Sequence, residues 1–209
     1  MKKKASALEI ELRAAAAPPP ERAPAAGQGE AMALLLRRGL RPERSTADVP
    51  FDQPLDAAVE EAFAARLGHY AFRLFLRGAI RQSDGFRPAD TTRYLAGEQA
   101  AGYAAALVGL GLAERMARGR FRLKRAARNF GGTLEWYVGR ELERRYGFDV
   151  ATGVKLHVRG GGGALDVVAA AEGKLVYVEL KSSPPKNLDA VAMAAFCGRL
   201  RLLRPDVAV

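Results

Sequence analysis

Cysteine and histidine are almost absent from this chain, which has one cysteine, Cys197, and two histidines, His69 and His157. A single cysteine excludes an internal disulfide and a cysteine-based zinc site. The histidines are isolated from each other in the sequence, so a histidine metal site or a Cys–His nucleophile pair has little support. Cys197 lies in an apolar segment with Met193 and Phe196, which predicts a buried thiol.

Long apolar segments are also absent, because no apolar run reaches the ~18 residues that a membrane-spanning helix needs. The chain begins with Met1 and three lysines, but Glu9, Glu11 and Arg13 follow before the apolar segment of a signal peptide could form. These features predict a cytoplasmic protein with no membrane partner.

Acidic residues are in the minority, since 33 Lys and Arg stand against 23 Asp and Glu, giving a formal net charge of +10. Such an excess favours a polyanionic partner, either nucleic acid or an anionic membrane surface. A general bias of composition toward Arg and Ala would produce the same excess. Apolar residues make up 49% of the chain, which is enough to bury a core.

Residues 1–50 are rich in Ala, Pro, Arg and Glu, as in the segment Ala14–Pro20. This composition predicts a flexible tail without chemistry, in which only a transient short helix forms at Glu30–Arg38. The rest of the chain is long enough for two domains, which we predict over residues 51–128 and 129–209.

The first predicted domain combines helices with a hairpin. Apolar residues at helical spacing predict helices at Leu55–Leu67, Tyr70–Ile80, Pro88–Leu95 and Glu98–Leu110. Apolar residues alternate on both sides of Arg118-Gly119, which predicts a β-hairpin. This order of helices followed by a hairpin resembles a winged helix-turn-helix domain. Such a domain usually binds DNA through its second motif helix and its wing.

The hairpin is the basic part of this domain. The helix predicted at Glu98–Leu110 has no Arg or Lys and can therefore contact few guanine edges. Residues 114–128 instead contain seven basic residues against one acidic residue, which suits contact with phosphates without sequence reading. The predicted nucleic-acid-binding residues are Arg115, Arg118, Arg120, Arg122, Lys124, Arg125 and Arg128. A winged helix used for dimerisation or domain packing, with solvated arginines, is the alternative.

The second predicted domain contains the residues that could carry chemistry. A helix is predicted over 131–146, and Glu135 lies beside its apolar stripe, where a carboxylate needs a partner. Strands are predicted over 149–159, 164–170 and 175–181, and the last two should form an antiparallel hairpin. In the last strand Glu179 and Lys181 share a face, and Asp166 lies across the hairpin from them.

These residue types suit a hard divalent cation. Mg²⁺ or Mn²⁺ is held by carboxylate and carbonyl oxygens, which Asp166, Glu179 and the Leu180 carbonyl can supply. Glu135 could complete the metal shell directly or through water. Lys181 could hydrogen-bond the attacking water and offset charge on a phosphate. The alternative is an exposed ion pair between Glu179 and Lys181, unrelated to the other carboxylates.

The ordered set of Glu135, Asp166 and Glu179-Leu180-Lys181 resembles the PD-(D/E)xK nuclease superfamily, which has the restriction-endonuclease-like fold. Gly132–Val138 and Leu165–Val168 also resemble versions of this domain in prokaryotic defence nucleases. The resemblance covers residues 129–209 and implies an α/β fold with an αβββαβ core. It implies that Glu135, Asp166, Glu179 and Lys181 are catalytic and that the three carboxylates bind the metal.

The end of the chain fits the family's next elements. A helix is predicted at Leu188–Leu203, and Val207–Val209 begins a strand that is either short or truncated. Gly160–Gly163 forms either a flexible loop or a close approach to a nucleic-acid backbone. Ser182, Ser183, Lys186 and Asn187 either bind phosphates or cap the helix.

The first function hypothesis is therefore a metal-dependent nuclease acting on DNA or RNA, as an endonuclease or an exonuclease. The second is a non-catalytic nucleic-acid-binding or regulatory protein that uses the winged helix and keeps the nuclease fold as a scaffold. A third is a homodimer that places two active sites across a duplex.

Overall fold

The computed structural model of the chain describes residues 29–82, 84–157, 164–182 and 187–209. Its α-helices are α1 (Glu30–Arg37), α2 (Ala57–Leu67), α3 (Tyr70–Ile80), α4 (Gly97–Gly109), α5 (Phe130–Tyr146) and α6 (Ala190–Leu203). Its strands are β1 (Pro42–Arg44), β2 (Ala113–Arg115), β3 (Phe121–Leu123), β4 (Asp149–Leu156), β5 (Ala164–Ala171), β6 (Lys174–Val178) and β7 (Val207–Ala208). The fold is mixed α/β, as the sequence predicts. None of the described helices is long and apolar enough to cross a membrane.

The main sheet has five strands in the order β1-β4-β5-β6-β7. The first three pairings are antiparallel, and β7 joins β6 in parallel. From α5 onward the elements follow the order α-β-β-β-α-β. Strands β5 and β6 both lie inside this sheet and each has a neighbour on either side.

The two faces of the sheet have separate cores. On one face α5 packs through Val138 and Leu142 against a cluster that consists of Val150, Val167, Ala169 and Val178. On the other face α1 and α6 cover a cluster that includes Leu35, Val154, Leu165, Tyr177 and Leu203. The sheet is therefore a buried middle layer, and any charge placed in it needs a partner.

The prediction of a flexible tail over residues 1–50 is wrong for residues 30–44. The apolar residues of α1, among them Leu34 and Leu35, are buried against the sheet, and β1 pairs with β4. The Asp149 carboxylate accepts a hydrogen bond from the Ala31 N–H at 2.7 Å and so caps α1 from within the sheet. Burial of this short apolar run outweighs the surrounding Pro- and Ala-rich composition. Residues 1–28 lie outside the described residues.

The helical region before α5 has an aromatic core. Helices α2, α3 and α4 and the β2–β3 hairpin surround a cluster that includes Phe63, Phe72, Phe75, Phe86 and Phe121. The helix predicted at Pro88–Leu95 is wrong, because only a 3-10 turn forms at Pro88–Asp90. The following segment crosses α3 so closely that a Cβ on Gly78 would lie 1.9 Å from the Thr91 carbonyl oxygen. The winged-helix assignment stays a prediction.

Helix α5 joins the helical region to the sheet. Its first residue, Phe130, is buried in the aromatic core, and Trp136 packs against that core. Arg140, 8% exposed, forms ion pairs with Glu60 at 2.6 Å and Glu61 at 2.7 Å, both on α2. The predicted domain boundary at residue 128 is therefore followed immediately by a helix that both regions share.

Helix α6 is apolar on more than its sheet-facing side. Only Leu203 is fully buried, whereas Val191 is 76% exposed and Met193 is 49% exposed. Cys197 is exposed, so the prediction of a buried thiol is wrong. The helix contacts the sheet core only through Phe196, Leu200 and Leu203, and Cys197 does not share that face.

Candidate active site

The register of the central hairpin places Asp166 opposite Glu179. Val167 pairs with Val178 and Val168 pairs with Tyr177, and the same register continued by one residue joins the two carboxylates. Strand β6 ends at Val178, so the strand predicted through Lys181 is three residues too long. Beyond Val178 the backbone hydrogen bonds between β5 and β6 end. The Leu180 N–H donates to Asp166 Oδ2 at 2.6 Å instead of to a backbone carbonyl.

The sheet is distorted at Asp166. The pairs Thr152–Val167 and Val154–Leu165 place Gly153 opposite Asp166, and Gly153 has a φ of +60°, in the left-handed region that favours glycine. Leu165 and Val167 would share a face in a regular strand, yet they belong to the cores on opposite faces. The distortion therefore lets Asp166 lie where side chains from both faces of the sheet can reach it.

Glu135 reaches this position from α5. Its Oε2 atom lies 3.6 Å from the point that a Cβ on Gly153 would occupy. Burial, followed by the charges of Asp166, Glu179 and Asp48, raises the pKa of Glu135 to about 7. The Glu135 carboxyl is thus half-buried beside the other two carboxylates, and near neutral pH it takes up or releases a proton.

The start of α5 is fixed by Asp48, which the sequence analysis placed in the tail. The Asp48 carboxylate accepts hydrogen bonds from the backbone N–H groups of Arg128 and Asn129, the shorter at 2.8 Å. A Cβ on Gly132 would come within 2.7 Å of Asp48, so the two chain segments touch. Because Glu135 follows one turn later, this contact sets its distance from the sheet.

Glu179 is enclosed by donors, and its side chain is 9% exposed. Its Oε1 accepts a hydrogen bond from Lys181 Nζ, and its Oε2 accepts from the Tyr177 hydroxyl and, at 2.9 Å, from Arg199 Nη1. Burial by itself raises the pKa of Glu179, but the hydrogen bonds from Lys181 and Tyr177 and the charge of Arg199 outweigh burial and lower it. Glu179 therefore stays ionised.

Burial affects the pKa of Asp166 more than hydrogen bonds and nearby charges do, which is the reverse of the case for Glu179. Burial raises the pKa of Asp166, and the hydrogen bond from the Leu180 N–H only partly offsets it. Burial and the hydrogen bond to Glu179 also raise the pKa of Tyr177, whose hydroxyl remains a donor. The site thus contains one strongly paired carboxylate and two carboxyl groups, Asp166 and Glu135, with raised pKa values.

Two members of this arrangement, Tyr177 and Arg199, were not identified from the sequence. Tyr177 lies two residues before Glu179, so the two-residue period of a strand could have found it. Arg199 lies on α6, twenty residues further along the chain, and contacts Glu179 only because α6 packs on the sheet. No local sequence pattern carries that information.

The donor chemistry of the site fits a hard divalent cation. The carboxylates of Asp166, Glu179 and Glu135 offer only oxygen ligands, which Mg²⁺ and Mn²⁺ prefer. Within the described residues, no three His, Cys, Asp or Glu side chains are already arranged around one metal position. Glu179 Oε1 is held by Lys181, whose side chain is 42% exposed and can turn away.

The hairpin arginines predicted to bind nucleic acid are largely engaged by the protein itself. Arg125 donates to the Val49 carbonyl at 2.6 Å and to the Phe51 carbonyl at 2.9 Å. Arg120 donates to the Gly85 carbonyl, and Arg122 pairs with Glu114. The remaining guanidinium contact is between Arg115 and the Phe121 ring. Within the described residues, the side chains of Arg118, Lys124 and Arg128 form no hydrogen bond or ion pair.

The loops beside the site are only partly described. Gly160–Gly163, Ser183 and Lys186 lie outside the described residues. Ser182 is described, and its carbonyl accepts a hydrogen bond from Arg77 Nη1 on α3 at 2.8 Å. Helix α3 therefore contacts the residue that directly follows Lys181.

Comparison with known proteins supports the fold and leaves the family open. No family model and no curated protein matches the chain. Among solved structures the chain is similar to protein VC1899 from Vibrio cholerae, with a TM-score of 0.55 and 17% sequence identity, covering 85% of this chain and 49% of VC1899. It is also similar to Can2 from Sulfobacillus thermosulfidooxidans, solved with cyclic tetra-adenylate, with a TM-score of 0.49 and 17% identity, covering 83% of this chain and 48% of Can2.

The chain thus spans about half the length of either protein. At 17% identity the likeness to VC1899 concerns the fold alone. The α/β fold of this chain therefore also occurs within VC1899, which is the longer of the two chains.

Proposed function

We propose that this chain is a divalent-metal-dependent nuclease of the PD-(D/E)xK type that hydrolyses phosphodiester bonds in DNA or RNA. The observation that carries the proposal is that Asp166 lies opposite both Gly153 and Glu179 in the registers of the sheet, while the Glu135 carboxylate approaches Gly153 from α5. The element order α-β-β-β-α-β, which is the order implied for this superfamily, supports it. So does the net charge of +10, which suits a polyanionic substrate.

In this proposal Asp166 and Glu179 hold Mg²⁺ or Mn²⁺, and Glu135 completes the shell directly or through water. The bound metal would lower the pKa of water and polarise the phosphate. Tyr177 and Arg199 hold Glu179 Oε2, and Lys181 holds Oε1, so Oε1 would be the oxygen available to a metal if Lys181 moved away. Lys181 would then be able to donate to the attacking water or to the phosphate oxygens.

The hairpin contributes to substrate binding in the same proposal. Arg118, Lys124 and Arg128, whose side chains have no partner within the described residues, are the hairpin cations best placed to contact phosphates. Arg115, Arg120, Arg122 and Arg125 would have to leave protein contacts first. In a homodimer, two such active sites would act on one substrate.

A cleavage panel tests the proposal. Single- and double-stranded DNA and RNA are incubated with the protein and Mg²⁺ or Mn²⁺, with EDTA as the metal-free condition. We expect cleavage only with metal, and its loss in Asp166→Asn, which preserves the side-chain volume. Glu114→Gln, which changes an exposed carboxylate on the hairpin, is the matched control. Cleavage that persists in EDTA or in Asp166→Asn would refute the proposal.

The pairing of Glu179 with Lys181 and Arg199 favours a second candidate function, a non-catalytic nucleic-acid-binding protein. Two cations already neutralise that carboxylate, as a structural ion pair would. This candidate predicts salt-dependent binding that is the same with metal and with EDTA, and no cleavage in any arm of the panel.

A further inference from the structure

Helix α3 exposes a face that the sequence analysis treated only as part of a helical domain. Its buried side is formed by apolar residues that pack into the aromatic core. The opposite side has Tyr70, Arg73, Arg77 and Arg81, which the helical period of 3.6 residues places along one stripe. We call these four residues the α3 face. No acidic residue lies between Tyr70 and Arg81, so no charge within the helix offsets these arginines.

The α3 face leads directly to the proposed active site. Arg77, its middle arginine, donates to the Ser182 carbonyl at 2.8 Å, and Ser182 follows Lys181 in the chain. Arg73 and Arg81 each lie one helical turn from Arg77, about 6 Å along the axis. The stripe therefore extends in both directions from a point beside Lys181, and three positive charges are spaced regularly along it.

The guanidinium groups keep donors for a ligand. Arg73 uses Nη1 on the Leu67 and Gly68 carbonyls, and Arg77 uses Nη1 on Ser182. An arginine has five N–H donors, so each retains several. Arg81 is exposed, and its side chain has no hydrogen-bond or ion-pair partner within the described part of the chain. Arg122 differs in another way, because its guanidinium is paired with the Glu114 carboxylate, which offsets its charge. Within the described residues, Arg73, Arg77 and Arg81 have no acidic partner.

An exposed aromatic ring adds a second type of contact. Tyr70 is 66% exposed at the start of the stripe, and the Arg73 guanidinium lies 5.6 Å from its ring centroid. Basic residues that alternate with an exposed aromatic ring are typical of surfaces that bind single-stranded nucleic acid, where phosphates contact the cations and a base stacks on the ring. A polyanion without bases would gain nothing from Tyr70.

We propose that the α3 face binds a single-stranded segment of nucleic acid and guides it to Lys181. Arg73, Arg77 and Arg81 contact successive phosphates, and Tyr70 stacks on an unpaired base. The inference rests on the proposed function for the identity of the site beside Ser182, and it assigns the strandedness of the substrate. It also assigns the larger share of binding to α3 rather than to the β2–β3 hairpin.

The test measures binding alone, so that it does not depend on cleavage. Fluorescence anisotropy is recorded for labelled single-stranded DNA, single-stranded RNA and duplex DNA in EDTA, with every variant made in the Asp166→Asn background. The variant Arg77→Ala/Arg81→Ala is compared with Arg144→Ala/Arg145→Ala, which removes the same charge from the far end of α5. Tyr70→Ala is compared with Tyr70→Phe, which keeps the ring. Thermal melting checks that each variant is folded.

We expect single strands to bind more tightly than duplex. Arg77→Ala/Arg81→Ala should reduce the slope of log affinity against log salt by about 1.4, the value for two phosphate contacts on a single strand. Tyr70→Ala should weaken single-strand binding about 5-fold or more, and Tyr70→Phe should not. An equal loss in Arg144→Ala/Arg145→Ala, or unchanged binding in Tyr70→Ala, would overturn the inference.

The outcomes also separate this inference from the proposed function. Strand binding that depends on the α3 face, in a protein that cleaves nothing with any metal, would support the inference and refute the nuclease. Metal-dependent cleavage by a protein whose strand binding does not change when Tyr70, Arg77 and Arg81 are substituted would support the nuclease and refute the inference.

Discussion

The carboxylate site and the β2–β3 hairpin hold their charged side chains in different ways. At the site, Glu179 is 9% exposed and its two oxygens accept three hydrogen bonds from side chains. On the hairpin, the side chains of Arg122 and Glu114 pair while 51% and 43% exposed. Charges interact strongly where water is excluded and weakly where solvent screens them. Substitutions should therefore have large effects at the site and small effects on the hairpin.

The largest effect should follow removal of Lys181. Lys181→Ala loses the donor proposed to act on the water or the phosphate, and the cleavage rate should fall about 100- to 1000-fold. The affinity for nucleic acid should change little, because the α3 face and the hairpin remain. Single-turnover cleavage and anisotropy on the same substrate would separate the two effects. A parallel loss of rate and affinity would mean that Lys181 only binds substrate.

A smaller effect, on stability, is expected at Arg125. Its guanidinium donates hydrogen bonds to the Val49 and Phe51 carbonyls, and Arg125→Ala removes both of these hydrogen bonds. The free energy of unfolding should fall by about 1–3 kcal/mol, which urea denaturation measures. Arg118→Ala, on an exposed neighbour, is the matched control and should change stability by less than about 0.5 kcal/mol. If Arg125→Ala weakens nucleic-acid binding and leaves stability intact, Arg125 belongs to the binding surface instead.

A pH-dependent effect is expected at Glu135, whose pKa is raised to about 7 in the folded state. Between its ordinary value of 4.5 and 7, the folded protein holds more protons on this group than the unfolded chain. Stability therefore falls as pH rises through this range, and the loss is complete above the folded pKa. Glu135→Gln should remove this dependence, so the variant gains stability relative to the unchanged protein as pH rises. Melting curves in EDTA at several pH values between 4.5 and 8 would measure the gain.

A constant difference between the two proteins over that range would contradict the pKa assignment. Added Mg²⁺ provides a further check, because a cation beside an ionised Glu135 should stabilise the unchanged protein more at pH 8 than at pH 5.

The smallest effect is expected at the exposed ion pair of the hairpin. Arg122→Ala should alter the free energy of unfolding by less than about 1 kcal/mol, because both partners are half-exposed. Its effect on nucleic-acid affinity should be smaller than that of Arg77→Ala, since Glu114 already neutralises Arg122. A larger loss of affinity in Arg122→Ala would show that the hairpin is the principal binding surface.

The carboxylates could be found from the sequence because their spacing is local. Glu179 and Lys181 lie two residues apart on or just beyond one strand, and the Glu172-Gly173-Lys174 turn fixes the pairing that brings Asp166 to Glu179. The positions of these residues follow from turn geometry and the two-residue period of a strand.

Other parts of the site could not be predicted because they depend on packing between distant segments. Asp48 and Arg199 reach the site through contacts that span about 80 and 20 residues of chain. The burial of α1 was missed because its short apolar run is surrounded by a composition typical of flexible chains. Gly153 offered a weak signal, since a glycine inside a strand pattern suggests a distortion of the sheet.

Metal binding by the carboxylates decides between the nuclease proposal and a structural ion pair. Free Mn²⁺ can be counted by electron paramagnetic resonance while the protein is titrated at pH 8 without nucleic acid. We expect saturable binding that is lost in Asp166→Asn/Glu179→Gln and retained in Glu114→Gln, which changes only the hairpin. Equal Mn²⁺ binding by all three proteins, or none by the unchanged protein, would mean that Asp166 and Glu179 do not form a metal site.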